Sequence, residues 1–131
     1  MKFRLLSLAL VSTLLLVGCG AKTVDVVKNE DAAAFQKTTQ QAGVVTLDVR
    51  TPAEFSQGHI TGAINIDVEG ADFAAEISKL NKSTSYAVYC HSGRRSAIAT
   101  KIMQESQFKS LFNLQNGIQG WLASGLPMTT A

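Results

Sequence analysis

The segment that decides the fold spans residues 86–95 and reads YAVYCHSGRR. Its first four residues are apolar or aromatic, and a short run of this kind predicts a buried β-strand that ends at Cys90. From about Arg95 the spacing of apolar residues predicts a helix that runs to Ser106. The residues expected on its inward face are Ala97, Ile98, Ile102 and Met103. The segment is therefore predicted to be a strand, a loop and a helix with a cysteine at the turn.

The same alternation of strand and helix extends along the chain on both sides of this segment. Strands are predicted at residues 24–27, 44–47, 63–66, 86–89 and 109–114. Helices are predicted at residues 29–41, 51–58, 72–80, 95–106 and 117–123. The second helix has the clearest start, because Thr51, Pro52 and Glu54 fit a capping box with proline at the first helical position. Alternation of this kind predicts an α/β fold, with parallel strands joined by right-handed crossovers and helices on both faces of one sheet.

Two predicted strands end in residues that carry chemistry. Asp48 and Arg50 follow the second strand, and Cys90 follows the fourth. Binding sites in open parallel sheets gather beyond the carboxyl ends of the strands. We therefore expect these residues to share one site.

Cys90 has the surroundings of a reactive thiol. The thiolate is the nucleophilic form, and a helix amino terminus together with Arg94 and Arg95 would lower the pKa of the thiol. Gly93 permits a tight turn whose successive amides can bind an anion or a negatively charged sulfur. The alternative is a packing role, because free cysteines are often buried. A histidine, a glycine and two arginines within the next five residues favour the reactive cysteine.

The amino end is predicted to be an export signal. The 131-residue chain, with 46% apolar and 17% charged residues, has room for one globular domain. Lys2 and Arg4 precede an apolar run at residues 5–17. This run is shorter than the roughly 17 to 25 residues that a membrane-spanning helix needs. We therefore expect residues 1–18 to be a cleaved signal peptide.

Residues 16–19, LVGC, resemble the bacterial lipobox, whose cysteine receives a diacylglycerol before cleavage. On this interpretation Cys19 becomes the lipidated first residue, residues 19–23 form a tether and residues 24–131 form the domain. The lipid would hold the protein on the outer face of the cytoplasmic membrane or on the periplasmic side of the outer membrane. The alternatives are a plain signal peptide and a disulfide between Cys19 and Cys90.

The charge of the chain also belongs to its amino end. Without Lys2 and Arg4, ten basic residues remain against ten acidic ones, so the mature chain is neutral. A neutral chain has no global basic field, and we therefore expect no nucleic acid partner. Affinity for anions then has to be local, and Arg94 and Arg95 would supply it.

Four segments resemble the single-domain rhodaneses, a family of sulfurtransferases. They are residues 89–96 (YCHSGRRS), which resemble the active-site loop, residues 47–55 (LDVRTPAEF) and 58–66 (GHITGAINI), which resemble the first signature, and residues 114–127, which resemble the carboxyl end. The similarity covers about residues 24–128. One departure is Asn116, where the family often has glycine, and we expect asparagine to tolerate a left-handed backbone there. The resemblance implies a rhodanese-like fold with a five-stranded, mainly parallel sheet.

The resemblance also implies a persulfide mechanism on Cys90. The thiolate would attack the outer sulfur of a donor such as thiosulfate, expel sulfite and pass the sulfur to cyanide or a thiol. The residues expected to bind substrate are His91, Ser92, Gly93, Arg94 and Arg95, with the two arginines on the oxyanion end of the donor. Asp48 and Arg50 are expected to support the loop as an ion pair, and His59 to be a structural hydrogen-bonding residue. We expect a monomer that needs no metal and no cofactor other than the covalent persulfide.

Three other functions remain open at this point. Phosphatases and arsenate reductases related to this fold have a similar cysteine loop, but they place arginine six positions after cysteine, where this chain has Ser96. A non-catalytic binding or regulatory module is a second alternative, although such modules usually lack the cysteine. A carrier that hands sulfur to a membrane partner is the third.

Overall fold

The computed structural model describes Gly18, Gly20 and residues 24–131. Most of the predicted signal peptide, Cys19 and the tether apart from Gly20 lie outside the described residues. The strands are β1 (Val27–Glu30), β2 (Val44–Asp48), β3 (Ile64–Asn65), β4 (Ser85–Tyr89) and β5 (Ser110–Leu114). The helices are α1 (Ala32–Thr39), α2 (Pro52–Gln57), α3 (Phe73–Ser78), α4 (Arg94–Glu105) and α5 (Gly117–Ala123). Within the described residues, no helix is both long enough and apolar enough to span a membrane.

The five strands form one sheet in the order β1-β5-β4-β2-β3, and every pairing in it is parallel. The predicted α/β class and the five-stranded sheet are confirmed, and the sheet is wholly rather than mainly parallel. β4 lies at its centre, paired with β2 on one side and with β5 on the other. The central position of β4 places the residue that follows it, Cys90, in the middle of the carboxyl edge.

Helices cover both faces of the sheet, and β4 contributes side chains to each face. Tyr86 and Val88 belong to a core that contains residues of α3 and α4. Ala87 and Tyr89 belong to a second core with residues of α1 and α5. Successive residues of a strand point to opposite faces, so a strand covered on both sides is apolar throughout, as the sequence of β4 predicts.

The first strand and the first helix begin later than predicted. The strand expected at residues 24–27 begins at Val27, and Asn29, which was expected to start the helix, lies in β1 opposite Asn113 of β5. The helix starts at Ala32 because the Asp31 carboxylate caps it by accepting a hydrogen bond from the Ala34 amide at 2.8 Å.

The inward face of α4 also differs from the prediction. Ala97 is exposed and 47% of Ile98 is exposed, whereas the buried residues of the helix are Ser96, Ala99, Thr100 and Met103. The buried hydroxyl of Thr100 bonds within the helix to the Ser96 carbonyl at 2.9 Å. This internal bond lets a polar residue occupy the inward face, which a count of apolar residues cannot anticipate.

Candidate active site

The predicted site residues gather at the carboxyl ends of β2 and β4. The two strands are neighbours with Asp48 opposite Tyr89, and the Val49 amide donates to the Tyr89 carbonyl at 3.0 Å. The residues that follow the two strands therefore lie side by side. This pairing brings Asp48 and Arg50 next to the loop that begins at Cys90, as expected from the rule for parallel sheets.

The Cys90 side chain is fully buried at the head of this loop. Its Sγ accepts a hydrogen bond from the Gly93 amide at 3.1 Å. Burial raises the pKa of the Cys90 thiol, but hydrogen bonds from the Ser96 hydroxyl and from the amides of Ser96, Gly93 and Ser92 outweigh burial and hold the pKa below its ordinary value. Arg95 adds a Coulombic attraction to the sulfur. The loop is therefore a cradle of donors that stabilises a negatively charged sulfur.

Two glycines allow the loop and α5 to approach each other closely. Gly93 has φ of 102° and Gly117 has φ of 58°, both in the region that favours glycine. A Cβ atom on Gly93 would overlap the Gln115 carbonyl, and one on Gly117 would overlap the His91 carbonyl. Asn116 itself has an ordinary φ of −106°, so the expectation of a left-handed asparagine was wrong, because Gly117 makes the turn.

The first turn of α5 holds the backbone of the cysteine loop in place. The Ile118 amide donates to the Cys90 carbonyl at 2.8 Å, and the Gln119 amide donates to the His91 carbonyl at 3.1 Å. Amides at a helix start have no partner within the helix, and here two of them bind the loop. Backbone hydrogen bonds from α5 therefore hold the cysteine loop in position.

Arg95 is held by an acidic residue of α2. Its Nη1 and Nη2 donate to the two carboxylate oxygens of Glu54, each at 2.8 Å. Glu54 Oε2 also accepts from the Thr51 amide at 3.1 Å and from the Thr51 hydroxyl at 3.0 Å. The Arg95 guanidinium and the Thr51 groups hold the pKa of Glu54 at about 2, and the Glu54 carboxylate raises the pKa of Arg95. The predicted capping box is confirmed, and it also fixes an arginine of the cysteine loop.

The remaining predicted substrate-binding side chains lie at the surface. His91, Ser92 and Arg94 are exposed, and within the described part of the chain Arg94 has no ion pair. Arg95 is different, since its side chain is only 15% exposed and its charge is compensated by Glu54. The two adjacent arginines therefore have different surroundings: Arg94 offers a free cation and Arg95 a fixed one.

Asp48 and Arg50 form a buried ion pair behind the loop. Arg50 Nη2 lies 2.6 Å from Asp48 Oδ2, and the same nitrogen donates to the Gly58 carbonyl at 2.7 Å. The Arg50 guanidinium also lies 5.6 Å from the centre of the Tyr89 ring. The Tyr89 hydroxyl in turn accepts the Ile60 amide at 3.0 Å. The expected ion pair is present, and it joins β2, β4 and the turn around Gly58.

A groove of about 350 Å³ opens beside the loop. Its polar lining residues are Arg50, Glu54, Gln57 and His91, and its apolar ones are Ile118, Leu122 and Met128. We call it the mouth groove. It borders the cysteine loop through His91.

His59 lies in the turn that packs against this groove. Its Nδ1 is 2.9 Å from the Phe55 carbonyl oxygen, its Nε2 is 3.0 Å from an oxygen of Ala131, and its ring stacks on Phe55 at 3.7 Å. The side chain is buried with both nitrogens engaged, so the structural role predicted for His59 is confirmed.

Glu54, Ser96 and Ile118 contribute to the site, yet sequence reasoning gave them no role there. Glu54 was explained by the capping box alone, Ser96 only marked the length of the loop, and Ile118 was only part of the predicted helix at residues 117–123. Each acts through a contact between segments distant in sequence or between backbone groups. One signal in the sequence did point to a further partner of Glu54. Its carboxylate has two acceptor oxygens, and the capping box does not use all of their capacity to accept hydrogen bonds.

Comparison with known proteins gives the site a family context. A model of the rhodanese-like domain matches residues 31–124. The chain is 38% identical over 96 residues to the chloroplastic thiosulfate sulfurtransferase 16 of Arabidopsis thaliana. This alignment covers 66% of this chain and 80% of that protein. It is 33% identical over 86 residues to a candidate sulfur carrier protein, YrkF, of Bacillus subtilis (strain 168). This second alignment covers 66% of this chain and 45% of that protein. A crystal structure of a rhodanese-related protein from Thermoplasma volcanium superposes with a TM-score of 0.70 at 28% identity, covering 79% of this chain and 99% of that one.

Proposed function

The chain belongs to the rhodanese-like domain family, and from this premise we propose that it is a sulfurtransferase that carries sulfane sulfur as a persulfide on Cys90. The observation that carries the proposal is the surroundings of the sulfur. Cys90 is buried, its Sγ accepts the Gly93 amide at 3.1 Å, and hydrogen bonds lower the pKa of the thiol. A packing cysteine needs no such donors.

In the first half-reaction the Cys90 thiolate attacks the outer sulfur of a donor such as thiosulfate. A sulfur–sulfur bond forms at Cys90, the sulfur–sulfur bond of thiosulfate breaks, and sulfite leaves with the bonding electrons. The terminal sulfur of the persulfide carries negative charge. The amides of the loop and the Ser96 hydroxyl are placed to stabilise this charge as they stabilise the thiolate.

In the second half-reaction a thiophilic acceptor, cyanide or a thiol, attacks the outer sulfur of the persulfide. The acceptor gains the sulfur and Cys90 leaves as the thiolate, which restores the starting state. Two half-reactions that share one covalent intermediate predict ping-pong kinetics. The reaction needs no cofactor and no metal ion.

The two arginines have separate tasks in this proposal. Arg94, exposed and without an ion pair among the described residues, attracts the oxyanion end of the donor. Arg95, fixed by Glu54, contributes a stationary positive charge near Cys90 and keeps remaining N–H groups for the donor. His91 and Ser92 form the exposed rim of the loop, and Gly93 donates the amide nearest to the sulfur.

Asp48 and Arg50 support the site without touching the reacting atoms. Their buried pair joins the ends of β2 and β4 to the Gly58 turn. We assign them a positioning role. The length of the loop argues against a phosphatase, because Ser96 stands six positions after Cys90, where the related phosphatases place arginine.

The experiment that tests the proposal is a thiosulfate to cyanide assay on the purified protein, with a Cys90→Ser variant beside it. We expect thiocyanate from the wild-type protein and none above background from the variant. Absence of thiocyanate from both, or equal rates in the two, would refute thiosulfate to cyanide transfer through Cys90.

A sulfur carrier is a second candidate, favoured by the similarity to the candidate carrier of Bacillus subtilis. A carrier would use the same persulfide but would hand the sulfur to one protein. Persulfide that forms rapidly from thiosulfate, is poorly consumed by cyanide and small thiols, and is consumed quickly by a membrane extract would favour the carrier.

We also propose that the protein is exported and anchored through lipid on Cys19, and that it is a monomer. The basic and apolar residues of the predicted signal and the LVGC sequence at residues 16–19 support the anchor. A Cys19→Ala variant should leave the membrane fraction or accumulate as an uncleaved precursor. Mature-length variant protein that remains in the membrane fraction would contradict lipid anchoring.

A further inference from the structure

The mouth groove is much larger than the smallest acceptor needs. Its volume is about 350 Å³, whereas one water molecule occupies about 30 Å³ of the liquid. A diatomic anion such as cyanide would leave most of the groove empty. Pockets that bind small organic molecules begin at about 300 Å³, so the groove has the size of an organic ligand.

The charged residues that line the groove are already paired. Arg50 is compensated by Asp48 at 2.6 Å. Glu54 is compensated by Arg95 at 2.8 Å. Neither residue is left to balance a charge on a ligand, so the polar side of the groove favours an uncharged group.

The apolar side of the groove is exposed mainly at Leu122. Ile118 and Leu122 lie one turn apart on α5, and Leu122 is 47% exposed. Met128 extends the apolar lining and covers Gly58, with its Cε 3.1 Å from the position of a Cβ there. An apolar group that covered Leu122 would gain free energy from the area it removes from water.

The groove borders the cysteine loop at the residue that follows Cys90. The Ile118 amide donates to the Cys90 carbonyl at 2.8 Å, and His91 is a lining residue. A molecule seated in the groove therefore lies next to the loop whose first residue would carry the persulfide.

We infer that the mouth groove binds the sulfur acceptor, and that this acceptor is a small organic thiol with an uncharged, apolar substituent. The inference rests on the proposed persulfide on Cys90. The acceptor thiolate attacks the outer sulfur, a sulfur–sulfur bond forms on the acceptor, and the bond to Cys90 Sγ breaks. Cys90 leaves with the electron pair as the thiolate, the acceptor becomes the persulfide, and no oxidant or reductant is consumed.

The test compares two thiol acceptors on the full-length chain purified in mild detergent and loaded with thiosulfate. Benzyl mercaptan has an apolar substituent and 2-mercaptoethanesulfonate has a charged one. Their kcat/KM ratio is measured for the wild type, for Leu122→Ser and for Ile98→Ser. Differences in intrinsic nucleophilicity between the thiols cancel when the ratios are compared between variants.

We expect Leu122→Ser to lower the preference for benzyl mercaptan about fivefold. Ile98 is a matched control, since it is also 47% exposed but lies on α4 outside the groove. Ile98→Ser should keep the wild-type ratio. A Leu122→Ser protein that keeps the wild-type ratio, or an Ile98→Ser protein that loses it equally, would overturn the inference.

Persulfide loading, measured by intact mass, separates this inference from the function on which it rests. A wild-type chain that gains no sulfur from thiosulfate overturns persulfide formation from that donor. The assignment of the mouth groove to the sulfur acceptor is then overturned as well, because it depends on the persulfide. A chain that gains sulfur but shows no effect of Leu122→Ser overturns only the assignment of the groove.

Discussion

The Arg95 guanidinium and the Glu54 carboxylate form a two-point ion pair, with both nitrogen to oxygen distances at 2.8 Å. The pair joins the start of α4, which carries the cysteine loop, to the start of α2. Because Thr51 also binds Glu54, the capping box of α2 and the orientation of Arg95 depend on the same carboxylate. The position of one charge at the site is therefore set by a helix that contributes no reacting group.

Replacement of Glu54 by glutamine should make the free energy of unfolding less dependent on pH in the acidic range. The pKa of Glu54 is lowered to about 2 in the folded chain, so its contribution is fully present above the unfolded value of about 4.3 and is lost as the pH falls toward 2. The side chain is 32% exposed, so solvent screening reduces the effect to about 1–2 kcal/mol. Urea unfolding of the wild type and Glu54→Gln at pH 7 should differ by this amount, and the difference should vanish near pH 2.

Glu76→Gln is the matched control for this measurement. Glu76 also pairs with a cation, Lys79, at 2.8 Å, but the Lys79 side chain is 69% exposed and the Glu76 side chain 46% exposed. Exposed pairs of this kind contribute little, so Glu76→Gln should change stability by less than about 0.5 kcal/mol. A Glu54→Gln deficit that stays constant from pH 7 to pH 2 would contradict the assigned ion pair.

Replacement of Arg94 by alanine should weaken donor binding while the fold stays intact. The loss of a free cation near the loop should raise the KM for thiosulfate about 3- to 10-fold, and the ratio to wild type should shrink at high salt. Steady-state kinetics at two ionic strengths measure both effects. Lys101→Ala removes another exposed cation of α4 and should leave the KM unchanged. Equal effects of the two substitutions would mean that Arg94 acts only through net charge.

Replacement of Gly117 by alanine should be strongly destabilising. The new Cβ would overlap the His91 carbonyl, and φ of 58° is unfavourable for alanine. We expect a loss of about 2–4 kcal/mol in urea unfolding. Gly43 has φ of 81° with no atom within 4 Å of a Cβ, so Gly43→Ala should cost only about 1 kcal/mol. Similar losses in the two variants would show that the close approach of α5 to the loop is not tight.

Thiolate formation at Cys90 should occur at a lower pH than in an ordinary cysteine. Its pKa is lowered by hydrogen bonds from Ser96 and the loop amides, so the thiolate absorbance should rise at a lower pH than that of a model thiol. Ser96→Ala removes a donating hydroxyl and should move the titration to higher pH. Ser92→Ala keeps the backbone amide and should leave the titration in place. A shift of equal size in both variants would contradict the assigned donors.

Much of the fold could be predicted because local signals and tertiary structure agree in it. The apolar run of β4 and the capping box of α2 each specify an element without help from the rest of the chain. The predictions failed at residues whose environment is tertiary. Asn29 was predicted to start a helix, but it pairs with β5 and lies in β1. Ile98 was predicted to be a core residue, but it is partly exposed, and Thr100 is buried in α4 because its hydroxyl bonds within the helix.

Similar reasoning applies to the site. The sequence pointed to Cys90, because its neighbours are unusual for a core cysteine, and it placed Asp48 and Arg50 nearby, because parallel strands share a carboxyl edge. It did not separate Arg94 from Arg95. The two residues are adjacent and chemically identical, and only the position of α2 in the fold makes Glu54 the partner of one of them.

The most direct test of the account is the mass of the intact protein after exposure to thiosulfate and removal of excess reagent. We predict that the wild-type chain gains one sulfur atom, that peptide mapping places it on Cys90, and that cyanide removes it again. The Cys90→Ser chain should gain nothing. A wild-type chain without added sulfur, or a Cys90→Ser chain that gains it equally, would contradict a thiosulfate-derived persulfide on Cys90.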